Sequence, residues 1–287
     1  MDLIQAHLDH RRSYQDFLYV YPVISRRSRG VSIGINLNPD KICNFDCVYC
    51  EVDRNALPRT RKVDLAILEQ ELMSMIKIYQ SKELFKNEPF SSAPLTWRRL
   101  NDIAFSGDGE PTTYSHFDQA VEIAWRAREK FHLSEVKLVL ITDAACLDRP
   151  VVKSGIGQMA QGPHEIWAKL DAGTVAYYKL VNRTAISLDR IIKNITETAN
   201  KIPLWIQTLF LQIHGKPPSD EEISAYIHQL ASIQKNGGKI LGIQIYTVAR
   251  PTPETWATAL TNEQLDAIAL RVEQESGLKV ERFYGAN

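Results

Sequence analysis

Cys43-Asn-Phe-Asp-Cys47-Val-Tyr-Cys50 places three thiols within eight residues, with three and then two residues between them. The chain has 287 residues and one further cysteine, Cys146, which stands alone. Thiols this close together in a cysteine-poor chain are ligands or redox groups in preference to structural disulfides. A loop can turn three thiolates onto one small inorganic centre, as in iron–sulfur clusters. A four-iron cube held by three cysteines keeps one iron without a protein ligand, which has the logic of a catalytic zinc with an open position. Other readings stand beside this one. A zinc site would need Cys146 or a distant histidine as its fourth ligand. A redox pair of Cys47 and Cys50 leaves Cys43 unexplained. Packed thiols would sit oddly beside polar Asn44 and Asp46.

Outward from the triad, strand-like runs alternate with helical stretches. Strands are expected at residues 31–37, 102–106, 136–142, 165–171, 204–211, 240–246 and 278–283. Helices are expected at 63–79, 117–130, 188–198, 219–234 and 262–275. The alternation implies an α/β fold, a full or partial (βα)6 TIM-like barrel with a mainly parallel sheet. The division expected is a basic N-terminal arm over residues 1–30 and a barrel domain over 31–287. In such barrels the site lies at the C-terminal ends of the strands. The cysteine loop, the loop Gly107-Asp-Gly-Glu-Pro111, Thr142-Asp143, Asp171 and Tyr246 all fall at or beyond such ends.

Lys+Arg and Asp+Glu are 34 each, so the net charge is zero, which argues against a chain whose main task is coating nucleic acid. An apolar content of 44% excludes disorder over most of the length. The first fourteen residues are charged and lack the apolar core of a signal peptide. The apolar runs are strand-sized, so a cytoplasmic protein without a membrane span is expected. Arg11-Arg12 and Arg26-Arg27-Ser28-Arg29 make the N-terminal stretch basic. They either solvate a surface or contact an anion near the site mouth, where Arg59, Arg61 and Lys62 could join them.

The triad, with Tyr49 before its last cysteine, resembles the hallmark of the radical S-adenosylmethionine superfamily. Ser106-Gly-Asp-Gly-Glu-Pro-Thr112 is similar to the superfamily's glycine-glycine-glutamate loop, which follows the second strand. The resemblance implies a [4Fe-4S] cluster on Cys43, Cys47 and Cys50. It also implies S-adenosylmethionine gripped by its amine on Gly107, Asp108, Gly109 and Glu110. Tyr49, Thr142, Asp143, Lys169, Asp171, Gln207 and Tyr246 are implied as further cofactor contacts. Ala144 stands where the family often has glycine.

Four phrases together resemble the wyosine-synthase-like group: Cys47-Val-Tyr-Cys50, Ser106 to Thr112, Lys169-Leu-Asp-Ala-Gly173 with Asn182-Arg183, and Ile206-Gln-Thr-Leu-Phe-Leu211. That group implies a nucleotide or tRNA base as substrate and an imine-forming lysine, for which Lys41 and Lys169 are candidates. No cysteine precedes Cys43, so the second cluster of the group's named member is not supported. A small metabolite or peptide is the alternative substrate class, and a non-catalytic iron–sulfur or zinc module the alternative role. The enzyme reading implies an electron donor such as flavodoxin or ferredoxin.

Overall fold

The computed structural model describes residues 12, 14–25, 27–54, 56–250 and 252–285. Arg11 and Arg26 lie outside the described residues. The chain folds as two compact units, one of residues 1–43, 54–141 and 149–165, the other of 44–53, 142–148 and 166–287.

The first unit carries β1 (Val20–Ser25), β2 (Gly30–Ile35), β3 (Leu100–Phe105) and β4 (Lys137–Thr142, of which 137–141 belong here). β2 pairs with β3 and β3 with β4 in parallel, while β1 pairs antiparallel with β2. β1 lies inside the stretch read as an arm. Its anchor is Glu71 on α1 (Leu65–Gln80), whose buried carboxylate accepts from the backbone N–H groups of Leu18, Tyr19 and Val20 at 2.6, 2.8 and 3.1 Å. A buried carboxylate with three donors is well satisfied, and it ties the strand to the helix.

Leu68, Leu72, Met75 and Ile76 form the buried stripe of α1 at helical spacing. Phe105 meets Phe117 of α2 (Phe117–Lys130) edge to face, with centroids 5.4 Å apart. α3 (Pro150–Met159) packs on the same ring. A Cβ at its Gly155 would lie 2.8 Å from the Phe117 ring, so a glycine lets the two helices approach. α3 is absent from the sequence reading because Gly155 and Gly157 lower its helical propensity.

The second unit carries β5 (His164–Lys169, of which 166–169 belong here), β6 (Leu204–Leu209), β8 (Ile240–Tyr246) and β10 (Val280–Phe283), paired in parallel in that order. β7 (Leu211–Ile213) and β9 (Ala257–Ala259) pair antiparallel beyond the end of β6. The helices are α4 (Val175–Asn182), α5 (Leu188–Ala199), α6 (Asp220–Lys235) and α7 (Asn262–Ser276). The eight-residue α4 was not expected from the sequence. Among the described residues, no helix is long and apolar enough to cross a membrane.

Candidate functional site

In the first unit β2 ends at Ile35, two residues short of the expected Leu37. The departure follows from Asn36, whose side chain turns to the loop after β3. Asn36 Oδ1 accepts from the backbone N–H of Asn38 and Asp108 at 3.0 and 3.1 Å, and its Nδ2 donates to Asp108 Oδ2 at 2.8 Å. Gly107 is packed so closely that a Cβ would lie 2.3 Å from Asn36 Oδ1. At Gly109 a Cβ would lie 2.3 Å from the Ile42 carbonyl oxygen, so the loop touches the backbone next to Cys43.

Asp108 also takes a charged partner, Arg12, whose Nη1 lies 3.0 Å from Oδ1. Glu110 is buried, and its Oε1 accepts from the backbone N–H of Thr112 at 3.0 Å and from the Thr112 hydroxyl. This carboxylate therefore caps the turn at Pro111–Thr113. Arg149 fastens the same turn by donating to the carbonyls of Thr112 and Thr113 at 2.7 and 2.8 Å. Arg27 and Arg29 lie in the turn between β1 and β2, at the other end of β2 from Asn36.

In the second unit the cysteine loop runs against the C-terminal end of α4. The N–H groups of Asp46 and Val48 donate to the carbonyls of Asn182 and Val181 at 3.1 and 2.9 Å. Val48 and Tyr49 are buried with Val181, Leu209, Leu211, Val248 and Ala257, and Cys47 and Tyr246 pack against that cluster. Asn182 Nδ2 donates to Cys47 Sγ at 3.5 Å and to Asp171 Oδ2 at 3.1 Å. Asp171 further accepts from the Tyr49 hydroxyl and, at 2.9 Å, from the Leu209 N–H. Lys169 Nζ stands 3.5 Å from Asp171 Oδ2, donates to the Tyr246 hydroxyl at 2.7 Å, and lies 4.8 Å from the centroid of the Tyr49 ring.

The charges follow from this packing. Burial pushes the Cys47 thiol up to about 11, while the Lys169 ammonium pulls the other way. Burial alone would lower the Lys169 pKa. Asp171, then Tyr246 and Cys47, reverse that and hold it above the usual lysine range. Burial, then Asp171, raises Tyr49, which stays a hydroxyl donor.

The loop after β5 is fixed from α6. The buried Glu222 carboxylate accepts from the N–H of Gly173 at 2.5 Å, and from the N–H and hydroxyl of Thr174 at 3.1 and 2.5 Å. A Cβ at Gly173 would lie 2.0 Å from the Tyr226 backbone nitrogen. At the end of β4, Thr142 Oγ1 accepts from the Ala144 N–H and Asp143 Oδ1 from the Ala145 N–H, at 3.0 and 2.9 Å. Ala144 has φ 66°, so it keeps the left-handed turn that a glycine would make. Asn194 holds that turn by donating to the carbonyls of Ala144 and Ala145 at 2.9 and 3.1 Å. Gln207 is buried and donates to Gln244 Oε1 at 3.0 Å.

The structure thus brings Cys47, Tyr49, Lys169, Asp171 and Tyr246 together, and joins Asp108 to Asn36 and Arg12. Asn36, Asn38 and Arg149 were missed by the sequence reading, and Arg12 was read only as part of the basic N-terminal stretch. The signal that could have found the first two is Asn36-Leu-Asn38 between a strand and the first cysteine. All four cysteines are half-buried and none is in a disulfide. Among the described residues, no group of three or more His, Cys, Asp or Glu side chains is arranged to hold a metal ion. In a cluster each thiolate takes a separate iron, so the fit rests on the chemistry of the donors. At Cys47 an amide N–H points at the sulfur and a buried ammonium stands by, the surroundings that a thiolate ligand requires. At Gly107 and Gly109 the space of a side chain is filled by Asn36, Asn38 and the Ile42 carbonyl, so the two glycines let this loop pack on the segment that leads into Cys43. The donors around Cys47 fit a cluster ligand.

No family model matches the chain. Among curated proteins it is 23% identical over 266 residues to "GTPase Obg" of Brachyspira hyodysenteriae, over 91% of this chain and 34% of that protein. It is 29% identical over 135 residues to a UPF0026 protein of Methanocaldococcus jannaschii, over 47% of this chain and 36% of that protein. The chain thus spans about a third of the length of these curated relatives. Among solved structures it is similar to TYW1 with a lysine-pyruvate adduct bound, with TM-score 0.57 and 15% identity over 88% of this chain and 75% of that one. Streptococcus suis SuiB bound to S-adenosylmethionine matches with TM-score 0.56 and 14% identity over 90% of this chain and 52% of that one. Archaeal TYW1 matches with TM-score 0.51 and 14% identity over 86% of this chain and 73% of that one. The chain therefore has the α/β barrel-type fold of the radical S-adenosylmethionine enzymes, wyosine synthase among them.

Proposed function

We propose that this chain is a radical S-adenosylmethionine enzyme whose substrate is a nucleotide or a tRNA base. The observation that carries the reading is the buried array of Cys47, Asn182, Asp171, Tyr49 and Lys169 behind the three-cysteine loop. Cys43, Cys47 and Cys50 would hold a [4Fe-4S] cluster, and the Gly107–Glu110 loop would hold S-adenosylmethionine. When bound and given one electron by a flavodoxin- or ferredoxin-type donor, the pair supplies reductive cleavage of the sulfonium to methionine and a 5′-deoxyadenosyl radical that takes a hydrogen from the substrate.

This chain's own residues bind, orient and shield. Asn36 and Arg12 hold Asp108, so the loop backbone is set before the cofactor arrives. The buried Glu110 would supply a carboxylate to the amine. Asn182 and Lys169 oppose the cost of a buried thiolate at Cys47. Lys169 is held as an ammonium between Asp171 and Tyr246, a charge-balancing role. Thr142, Asp143 and Tyr246 at the strand ends, and Gln207 within β6, are proposed as cofactor contacts. Thiols kept reduced for a cluster suit the cytoplasm.

GTP hydrolysis is not part of this proposal. The Gly-Lys pairs Gly215-Lys216 and Gly238-Lys239 are followed by Pro217 and Ile240, where a phosphate-binding loop has Ser or Thr. The wyosine synthase neighbours favour a tRNA-related substrate, and zero net charge favours a small metabolite or peptide instead. Anaerobic reconstitution should load about four irons per chain. Reductant plus S-adenosylmethionine should then yield 5′-deoxyadenosine. Full iron binding by a triple Cys→Ala variant at positions 43, 47 and 50 would sink the reading. Weak, salt-insensitive tRNA binding would move the substrate to the small-molecule class, because each phosphate contact costs about 0.7 log units of affinity per log unit of salt for single strands.

A further inference from the structure

We propose that Asp171 is a positioning residue: it fixes the Asn182 carboxamide with an N–H toward Cys47 Sγ, and through that hydrogen bond it raises the reduction potential of the cluster on the cysteine loop. The proposal rests on the enzyme reading above and adds which side chain sets the donor. Asn182 is the last residue of α4, and its carbonyl accepts from the Asp46 N–H at 3.1 Å, so its backbone is fixed against the cysteine loop. The side chain still has a choice, because a carboxamide turned by half a circle exchanges its acceptor end for its donor end. Here Nδ2 donates to both Asp171 Oδ2 and Cys47 Sγ, at 3.1 and 3.5 Å. Among the described residues, Oδ1 is buried with no hydrogen-bond partner.

A lone buried oxygen is costly, so something must hold the amide in this orientation. The reverse orientation would set that oxygen against the Asp171 carboxylate and the Cys47 sulfur, acceptor against acceptor. The carboxylate can serve as the reference because it is itself held from other sides. Its Oδ1 accepts from the Leu209 N–H at 2.9 Å, while Oδ2 accepts from the Tyr49 hydroxyl and stands 3.5 Å from Lys169 Nζ. Asp171 and Asn182 are 3% and 1% exposed, so their contact is little screened by solvent. Hydrogen bonds to cluster sulfurs favour the reduced, more negative form and so raise the potential. Asp171 acts on the cluster at one remove, as groups behind a metal ligand do elsewhere.

The test is a double-mutant cycle on the full, reconstituted chain, with the cluster midpoint read by redox titration without S-adenosylmethionine. In the otherwise wild-type chain, Asn182→Leu should shift the reduction equilibrium about fivefold toward the oxidised form, a midpoint lower by about 40 mV for one electron. Asp171→Asn keeps the shape of the side chain. The Leu209 N–H holds the new amide oxygen at the Oδ1 position, so an NH2 group replaces Oδ2 and turns Asn182 round. In that background Asn182→Leu should shift the equilibrium by less than about twofold. The cycle cancels the direct effect of the lost carboxylate charge, which is the same with and without Asn182. An equal shift in both backgrounds, or no shift in either, overturns the proposal. In the apoprotein, NMR should show the Asn182 side-chain N–H groups exchanging with solvent about tenfold faster or more in Asp171→Asn than in wild type. Equal exchange overturns the orientation by itself. If wild type loads no cluster, the enzyme reading fails, and the exchange rates still decide what Asp171 does to Asn182; they decide it equally if Asp171→Asn alone loads none.

Discussion

Arg12 pairs with Asp108, Nη1 to Oδ1 at 3.0 Å, and so joins the N-terminal stretch to the loop proposed to grip the cofactor. An anion contact near the site mouth was one of two readings of this stretch, Arg11 and Arg12 with Arg26, Arg27 and Arg29, the other being a solvated surface. The structure places Arg27 and Arg29 at the start of β2, away from its Asn36 end, while Arg12 reaches the loop. The pair is about three-quarters buried or more on both sides, with side-chain exposures of 26% and 18%. Arg12→Glu should therefore weaken S-adenosylmethionine binding about fivefold, near 1 kcal/mol, measured by equilibrium titration. Unchanged affinity would mean that Asn36 alone holds Asp108.

Asn182→Leu keeps the side-chain volume and removes the N–H that serves both Cys47 and Asp171. A hydrogen bond of this kind contributes about 1 kcal/mol, so the variant should release iron to a chelator roughly fivefold faster than wild type. Equal release rates would remove Asn182 from the support of the cluster.

Glu71→Ala leaves the N–H groups of Leu18, Tyr19 and Val20 without their acceptor. The cost should be roughly 2–4 kcal/mol in urea unfolding, with faster hydrogen exchange along β1. A loss under about 0.5 kcal/mol would show that β1 holds its place through β2 alone.

Asp102 lies across from Ser32 in the β2–β3 pairing and accepts from its hydroxyl. Burial raises its pKa from 3.8 to about 6, and the Ser32 hydrogen bond only partly offsets this. The sign follows from linkage. Below pH 3.8 both folded and unfolded states carry the proton and there is no penalty. As pH rises, the unfolded state ionises first, so stability falls, and the loss is complete above about pH 6. At that point it is about 3 kcal/mol. Asp102→Asn should gain stability relative to wild type between pH 4 and 7, measured as urea midpoints. A difference between the two proteins that stays constant over that range would contradict the assignment.

Gly173→Ala should destabilise by roughly 3 kcal/mol or more, because the added methyl would meet the α6 backbone at Tyr226. Thermal unfolding decides it, and a wild-type midpoint would show that the loop after β5 can shift away from α6.

The sequence by itself determined what depends on short spacing. Three thiols in eight residues, the Gly-Asp-Gly-Glu loop after a strand and the alternation of strand and helix periods are local patterns. β8 at Ile240–Tyr246 and α2 at Phe117–Lys130 match their expected bounds for that reason. Only the tertiary structure decided the partners. Tyr19 finds Glu71 across 52 residues, Arg12 finds Asp108 across 96, and Asn182 finds Cys47 across 135. Such pairs leave no periodic trace in the sequence, because they form only when the packing of helix on strand brings their backbones together. The N-terminal stretch shows the difference. Its charges suggested an arm, but β1 follows from the buried carboxylate of Glu71, which a linear reading of those charges does not see.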